Sequence, residues 1–214
     1  MTEEEWLTTS NPRPLLKWLQ KSKRHKPTMR KMAMFACACA GRLNVRRLDD
    51  LTIRGLALAE RMADGAASLE EVRQFGSESL HTKSRSDFLH IAVWAVRVCE
   101  ADVGWSSPLG SALSVAEWMA AAMKKDEPAI QCDLLREVLG NPYRPVSLDT
   151  AWRTSNVIAL AQAIYDEKAF DRLPILADAL EDAGCDNADI LNHCREPGEH
   201  VRGCWAVDLV LGKE

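Results

Sequence analysis

The sequence has no run of apolar residues long enough to cross a bilayer. Its longest uncharged stretch of that kind, MAMFACACAG, falls far short of the ~20 residues a spanning helix needs. It has no CxxC pair, so the commonest zinc knuckle and the thioredoxin-type redox motif are both missing. No GxSxG, HExxH, P-loop or GxGxxG occurs, which removes the best-marked hydrolase, metalloprotease and nucleotide-binding signatures. Gly and Pro are modest, at 11 and 9 of 214 residues, and no tract is of low complexity, so disorder is expected only at the ends. The start, MTEEEWLTTS, is acidic and lacks the basic first residues and apolar core of a secretion signal. A cytoplasmic protein without membrane association is expected, with its seven cysteines as reduced thiols, most of them small buried hydrophobes.

What is present is helical periodicity. Met29, Met32, Ala36, Cys39 and Leu43 step by three and four, and so do Leu51, Gly55, Leu58 and Met62. Phe88, Ala92, Ala95 and Cys99 continue the pattern, as do Leu173, Leu176, Leu180 and Ala183. SLEE at Ser68–Glu71 reads as a capping box, DDLT puts acids in a first turn, and Gly65, Gly140 and Gly184 fall where helices stop. Helices are expected over 12–23, 28–45, 49–64, 68–79, 84–102, 110–124, 127–139, 153–166, 168–183 (interrupted at Pro174), 186–195 and 203–211. CWAVDLVL is apolar on nearly every face, but a lone strand would have no partner, so a buried terminal helix is expected. The fold class is therefore all-α, a helical bundle over 1–139 and a C-terminal helical subdomain over 153–214 packed on it, with a Pro-rich loop at 140–152 between them. A short degenerate helical repeat is the variant of this architecture.

Two stretches of the C-terminal region, IYDEKAFDRLPILADALEDAGC and ILNHCREPGEHVRGCWAVDLVLGKE, resemble the C-terminal signature of an uncharacterised bacterial family. The opening MTEEEWL and the segment RKMAMFACACAGR are similar to that family too. The likeness covers both ends, about half the chain, and leaves roughly 65–130 without a counterpart. It implies an all-helical bacterial protein and brings no catalytic residue with it.

HCREPGEHVRGC places two His and two Cys around a Pro-Gly turn. Zinc takes about four N or S ligands at 2.0–2.3 Å. Cys185 and Cys194 would stand at opposite ends of one helix, about 13 Å apart, and cannot share an ion. His193 and Cys194 point about 100° apart, so one of them at most ligates. The candidate metal residues are thus His193, Cys194, His200 and Cys204, with a further ligand drawn from elsewhere, for example Cys132 or Cys99. The competing reading makes the cysteines core residues and has a histidine bonding a helix end.

From Arg13 to Arg47 there are eleven Lys and Arg and no Asp or Glu, although the whole chain carries −4. The densest part, KSKRHKPTMRK, falls at an expected turn beside Trp18. Lys17, Lys21, Lys23, Arg24, Lys26, Arg30 and Lys31 are candidates for binding a polyanion or an acidic protein surface. Arg30 and Lys31 would open a helix at its positive end, costing about 0.3–1 kcal/mol each unless an anion is near. That anion is either a ligand or an acid of the same chain such as Glu3, Glu4 or Glu5. The sequence pI of 5.8 favours an internally balanced basic face.

No nucleophile–base–acid set emerges, and the Asp87–His90 pair reads as a cap or surface contact. Trp94, Trp118 and Trp205 read as core, whereas Trp6 and Trp152 suit either a loop staple or a partner anchor. The expected function is a non-catalytic interaction or regulatory module that binds another macromolecule, most simply a protein. Nucleic-acid binding through 13–47 and zinc binding at 193–204 stand as alternatives.

Overall fold

The structure, a computed structural model, describes residues 1–43, 48–81, 93, 96, 114–117, 119 and 126–213. The protein is all-α: the described residues form helices and no strand. The chain divides into two compact units, Met1–Leu135 and Arg136–Glu214. No described helix is long and apolar enough to cross a membrane.

The first unit opens with α1 (Glu3–Thr8), held by a capping box in which the Thr2 side chain accepts from Glu5 N–H and the Glu5 carboxylate accepts from Thr2 N–H. Asn11 caps α2 (Pro12–Lys21), with Pro12 in the first turn where its missing N–H costs nothing. Trp6 is fully buried and its ring meets Trp18 at 5.9 Å, so it staples α1 to α2 and does not face a partner. Helix α3 (Met29–Gly41) buries Met32, Ala36 and Cys39 of the expected stripe, with Phe35 beside them and Met29 left exposed, and packs against α4 (Asp50–Ala63). The Asp49 carboxylate accepts from Thr52 N–H at 2.7 Å and starts α4, and the Ser68–Glu71 box starts α5 (Leu69–His81). The expected helices at 84–102 and 110–124 lie outside the described residues except for Val93, Val96, Ser114–Glu117 and Met119, which are helical. Trp94, Trp118, Cys99, Asp87 and His90 lie outside them too.

Helix α6 (Glu127–Leu139) begins in the first unit, and its last turn belongs to the second. In the second unit, Thr154 caps α7 (Ser155–Glu167), which ends at a left-handed Lys168. The chain then makes one 3-10 turn, Phe170–Arg172, before α8 (Leu173–Asp182). Pro174 sits in the first turn of α8, so the proline restarts a helix as its fixed φ predicts. Asn187 caps α9 (Ala188–Arg195), and CWAVDLVL forms the short helix α10 (Trp205–Leu211). Helices α7, α8, α9 and α10 pack on one apolar core of Ile164, Leu176, Leu180, Ile190, Val207 and Val210 among others. At about 25 cal/mol per Å² of apolar surface, this shared core is what holds four short helices that are marginal alone.

Candidate metal centre

Four side chains of the second unit converge: Glu137, His193, His200 and Cys204. Glu137 lies in the last turn of α6, on the face of the buried Leu134 and beside the buried Val138. Gly140 ends that helix with φ +68, its N–H bonding Arg136 C=O at 2.8 Å. His193 lies in the last turn of α9. His200 follows the Pro-Gly turn, and Cys204 immediately precedes α10. Trp205 closes one side, its ring 4.8 Å from that of His193 and packed on the bare backbone of Gly140.

The geometry is convergent. One donor atom from each of the four residues lies within 4.8 Å of all the others. His193 Nε2 stands 3.3 Å from Cys204 Sγ and 3.3 Å from Glu137 Oε2. His200 Nδ1 stands 3.1 Å from Glu137 Oε1. Donor atoms around a tetrahedral ion with 2.0–2.3 Å bonds are about 3.3–3.8 Å apart, close to this spacing. The far nitrogen of His200 lies 3.3 Å from Glu196 C=O. A proton donated there leaves Nδ1 with a lone pair directed inward, which is how metal-binding histidines are commonly oriented.

Electrostatics make this a place for positive charge. The C-terminal turns of α6 and α9 both end here, and each brings the negative end of a helix dipole. Glu137 adds a carboxylate whose side chain is 8% exposed. Burial by itself pushes the Glu137 carboxyl up, but hydrogen bonds from His193 and His200, with their charges, override it and hold the group at about 2. The hydrogen bond to Glu137 raises His200, with burial opposing. Cys204 is fully buried; burial, reinforced by the Glu137 charge, pushes its thiol well above the ordinary range.

The same geometry disfavours a nucleophilic triad. A Cys–His–acid relay uses opposite nitrogens of the imidazole, one toward sulfur and one toward the acid. Here the single Nε2 of His193 faces both Cys204 and Glu137. A fully buried thiol with a raised pKa is also a poor nucleophile.

Of the four candidate ligands read from the sequence, the fold brings together His193, His200 and Cys204. Cys194 is not in the group: it is buried in the α7–α10 core, which pushes its thiol up to about 12. Cys132 is buried within α6 in the first unit and does not join either, and Cys99 lies outside the described residues. The fourth member, Glu137, escaped the sequence reading because it is far from the Cys/His cluster along the chain. One signal was available in LLREVLG: an acid on the apolar stripe, one turn from a helix-ending glycine.

The candidate polyanion residues separate into two sets. Arg30 is turned inward and meets Asp64, which caps the end of α4, at 3.3 Å. Of the two sources expected for an anion at the start of α3, a ligand or an acid of the same chain, Asp64 is the second, in place of Glu3, Glu4 or Glu5. Lys31 is half-buried, whereas Lys17, Lys21, Lys23, Arg24 and Lys26 are exposed.

No protein-family model, curated protein or solved structure matches the chain. The likeness at its two ends therefore supplies no activity, and function rests on the site itself.

The position of Trp205 carries one expectation. A Cβ at Gly140 would lie 3.2 Å from Trp205 Cγ, at a φ that side chains rarely adopt. Gly140→Ala is expected to cost about 1–3 kcal/mol from backbone strain, and more from displacing the ring. Gly184→Ala, at φ +90 with nothing within 4 Å, carries the strain alone. Urea titration of both variants reads the difference, and equal losses would mean that Trp205 does not need the bare backbone.

Proposed function

We propose that this protein is a non-catalytic helical module whose second unit is held by one zinc ion bound to Glu137, His193, His200 and Cys204. The observation that carries the reading is the convergence of one oxygen, two nitrogens and one sulfur within 4.8 Å of one another. The donor set suits zinc: imidazole and thiolate favour a borderline-soft ion, whereas calcium and magnesium want oxygen ligands. Charge also suits it, since a thiolate and a carboxylate balance a divalent cation and make the buried assembly neutral. Four protein ligands complete a tetrahedron and leave no open position for substrate, which marks a structural centre rather than a catalytic one. The ion would fasten the ends of α6 and α9 to the turn before α10, in a unit whose helices are short.

The experiment is metal analysis of untagged protein purified without chelator, followed by replacement with cobalt. About one zinc per chain is expected, and the cobalt form should show the intense visible bands of a tetrahedral site together with a sulfur-to-cobalt charge-transfer band. Sub-stoichiometric metal that dialysis removes, or a pale octahedral cobalt spectrum, would overturn the reading.

A further inference from the structure

A second feature, in the first unit and independent of the metal, is an open patch of positive charge. Five of the described arginines of that unit have carboxylate partners. Arg13 meets Glu117, Arg30 meets Asp64, Arg42 meets Glu127, Arg54 meets Asp50 and Glu78, and Arg61 meets Glu71. Lys17, Lys21, Lys23, Arg24 and Lys26 are different: all five are exposed, and among the described residues none meets a carboxylate. Lys17 and Lys21 lie one turn apart on α2, and the other three follow in the connection to α3.

That connection is built rather than slack. The Ser22 hydroxyl accepts from His25 N–H at 3.0 Å, and the His25 ring stacks on Trp18 at 5.4 Å and 23°. Trp18 is anchored in turn by the buried Trp6, and Thr28 caps α3. Five cations are therefore carried on a braced loop and helix end, and among the described residues none of them forms an ion pair. In a chain of net charge −4 this is a local concentration, not a reflection of composition.

We infer that the exposed surface formed by Lys17, Lys21, Lys23, Arg24 and Lys26 binds the phosphodiester backbone of a nucleic acid without reading its sequence. Four of the five are lysines, point charges that meet backbone phosphates without the fixed geometry that base reading needs, which suits electrostatic, sequence-independent binding of a phosphodiester chain. The Trp18 ring at the patch is covered by the stacked His25 ring on one side and meets the tilted Trp6 ring, so binding comes from charge and not from base stacking.

The test is fluorescence anisotropy of the full-length protein with a labelled duplex oligonucleotide of random sequence, across a salt series. Five phosphate contacts give a log–log salt slope of about −4.5, hence a loss of about 500-fold between 50 and 200 mM salt. The triple variant K23E/R24E/K26E should bind at least tenfold more weakly with a slope near −2, while the single reversal Arg73→Glu, outside the five and compared with the single reversal Arg24→Glu, should bind like wild type. These positions are exposed, and a circular dichroism melt checks that the variants fold. Absence of binding at low salt, or a triple variant that binds like wild type, overturns the inference. Equal affinity for poly-glutamate also overturns it, pointing to an acidic protein surface as the partner.

Discussion

Cys204→Ser protein is expected to carry no stoichiometric zinc and to lose most of the difference between chelator-treated and untreated wild type. Serine keeps the shape but is a far weaker zinc ligand than thiolate, and it leaves three donors where a closed site needs four. Metal binding free energy is folding free energy when the unfolded chain has no preformed site, so the loss should reach several kcal/mol. A purely packing role for Cys204, which is fully buried, predicts about 1–3 kcal/mol for an unsatisfied hydroxyl and no change in metal content. The control is Cys194→Ser, a buried cysteine of the same core outside the cluster. It should destabilise while retaining metal. Urea unfolding with and without chelator, beside metal analysis, separates the outcomes. If the two serine variants behave alike, Cys204 is not a ligand.

Glu137→Gln should have the second-largest effect, and pH makes it diagnostic. Glu137 is held at about 2. It therefore adds stability that is present above the ordinary carboxylate value of 4.5 and is lost progressively as pH falls from there through about 2. His200 is raised by Glu137, so its contribution is full below its unfolded value of 6.5 and fades as pH climbs through the raised folded value. Metal-free wild type should thus weaken from mildly acid to alkaline pH. The zinc-loaded protein should move the other way, because its ligands must be deprotonated to bind. The stabilisation by metal should widen between about pH 5.5 and about pH 8. Glutamine removes the charge that serves both states. Zinc affinity should drop on the order of 10²-fold or more, since even groups behind a ligand are worth 10–100-fold. The metal-free variant should lose stability near pH 5.5, because burial then lowers His200 with no carboxylate to oppose it and its proton is given up. Isothermal titration with zinc and urea melts at the two pH values check both. Metal stabilisation that does not vary with pH, or a variant with wild-type affinity, would contradict the assignment of Glu137.

Sequence by itself determined the local structure. Capping and stop signals act through groups within a few residues, so the Ser68–Glu71 box and the stops at Gly65, Gly140 and Gly184 could be read directly, whereas the acids of DDLT, expected in a first turn, include Asp49 as the cap of α4. The restart at Pro174 followed from its missing N–H, and the all-α class from a periodicity that alternation nowhere matched. Local reasoning stopped where two elements had to meet. Whether Trp6 faced a partner or the core depended on where Trp18 was delivered. Whether Arg30 was open depended on Asp64, at the far end of another helix. In the site, 193–204 could be narrowed to three groups, but the choice of His193 over Cys194 is a matter of how α9 is rotated against α7, α8 and α10. Glu137 reaches the cluster only because α6 ends beside α9 in the folded second unit. Ligand sets and ion pairs are set by packing between helices distant along the chain, and only the tertiary structure decides that.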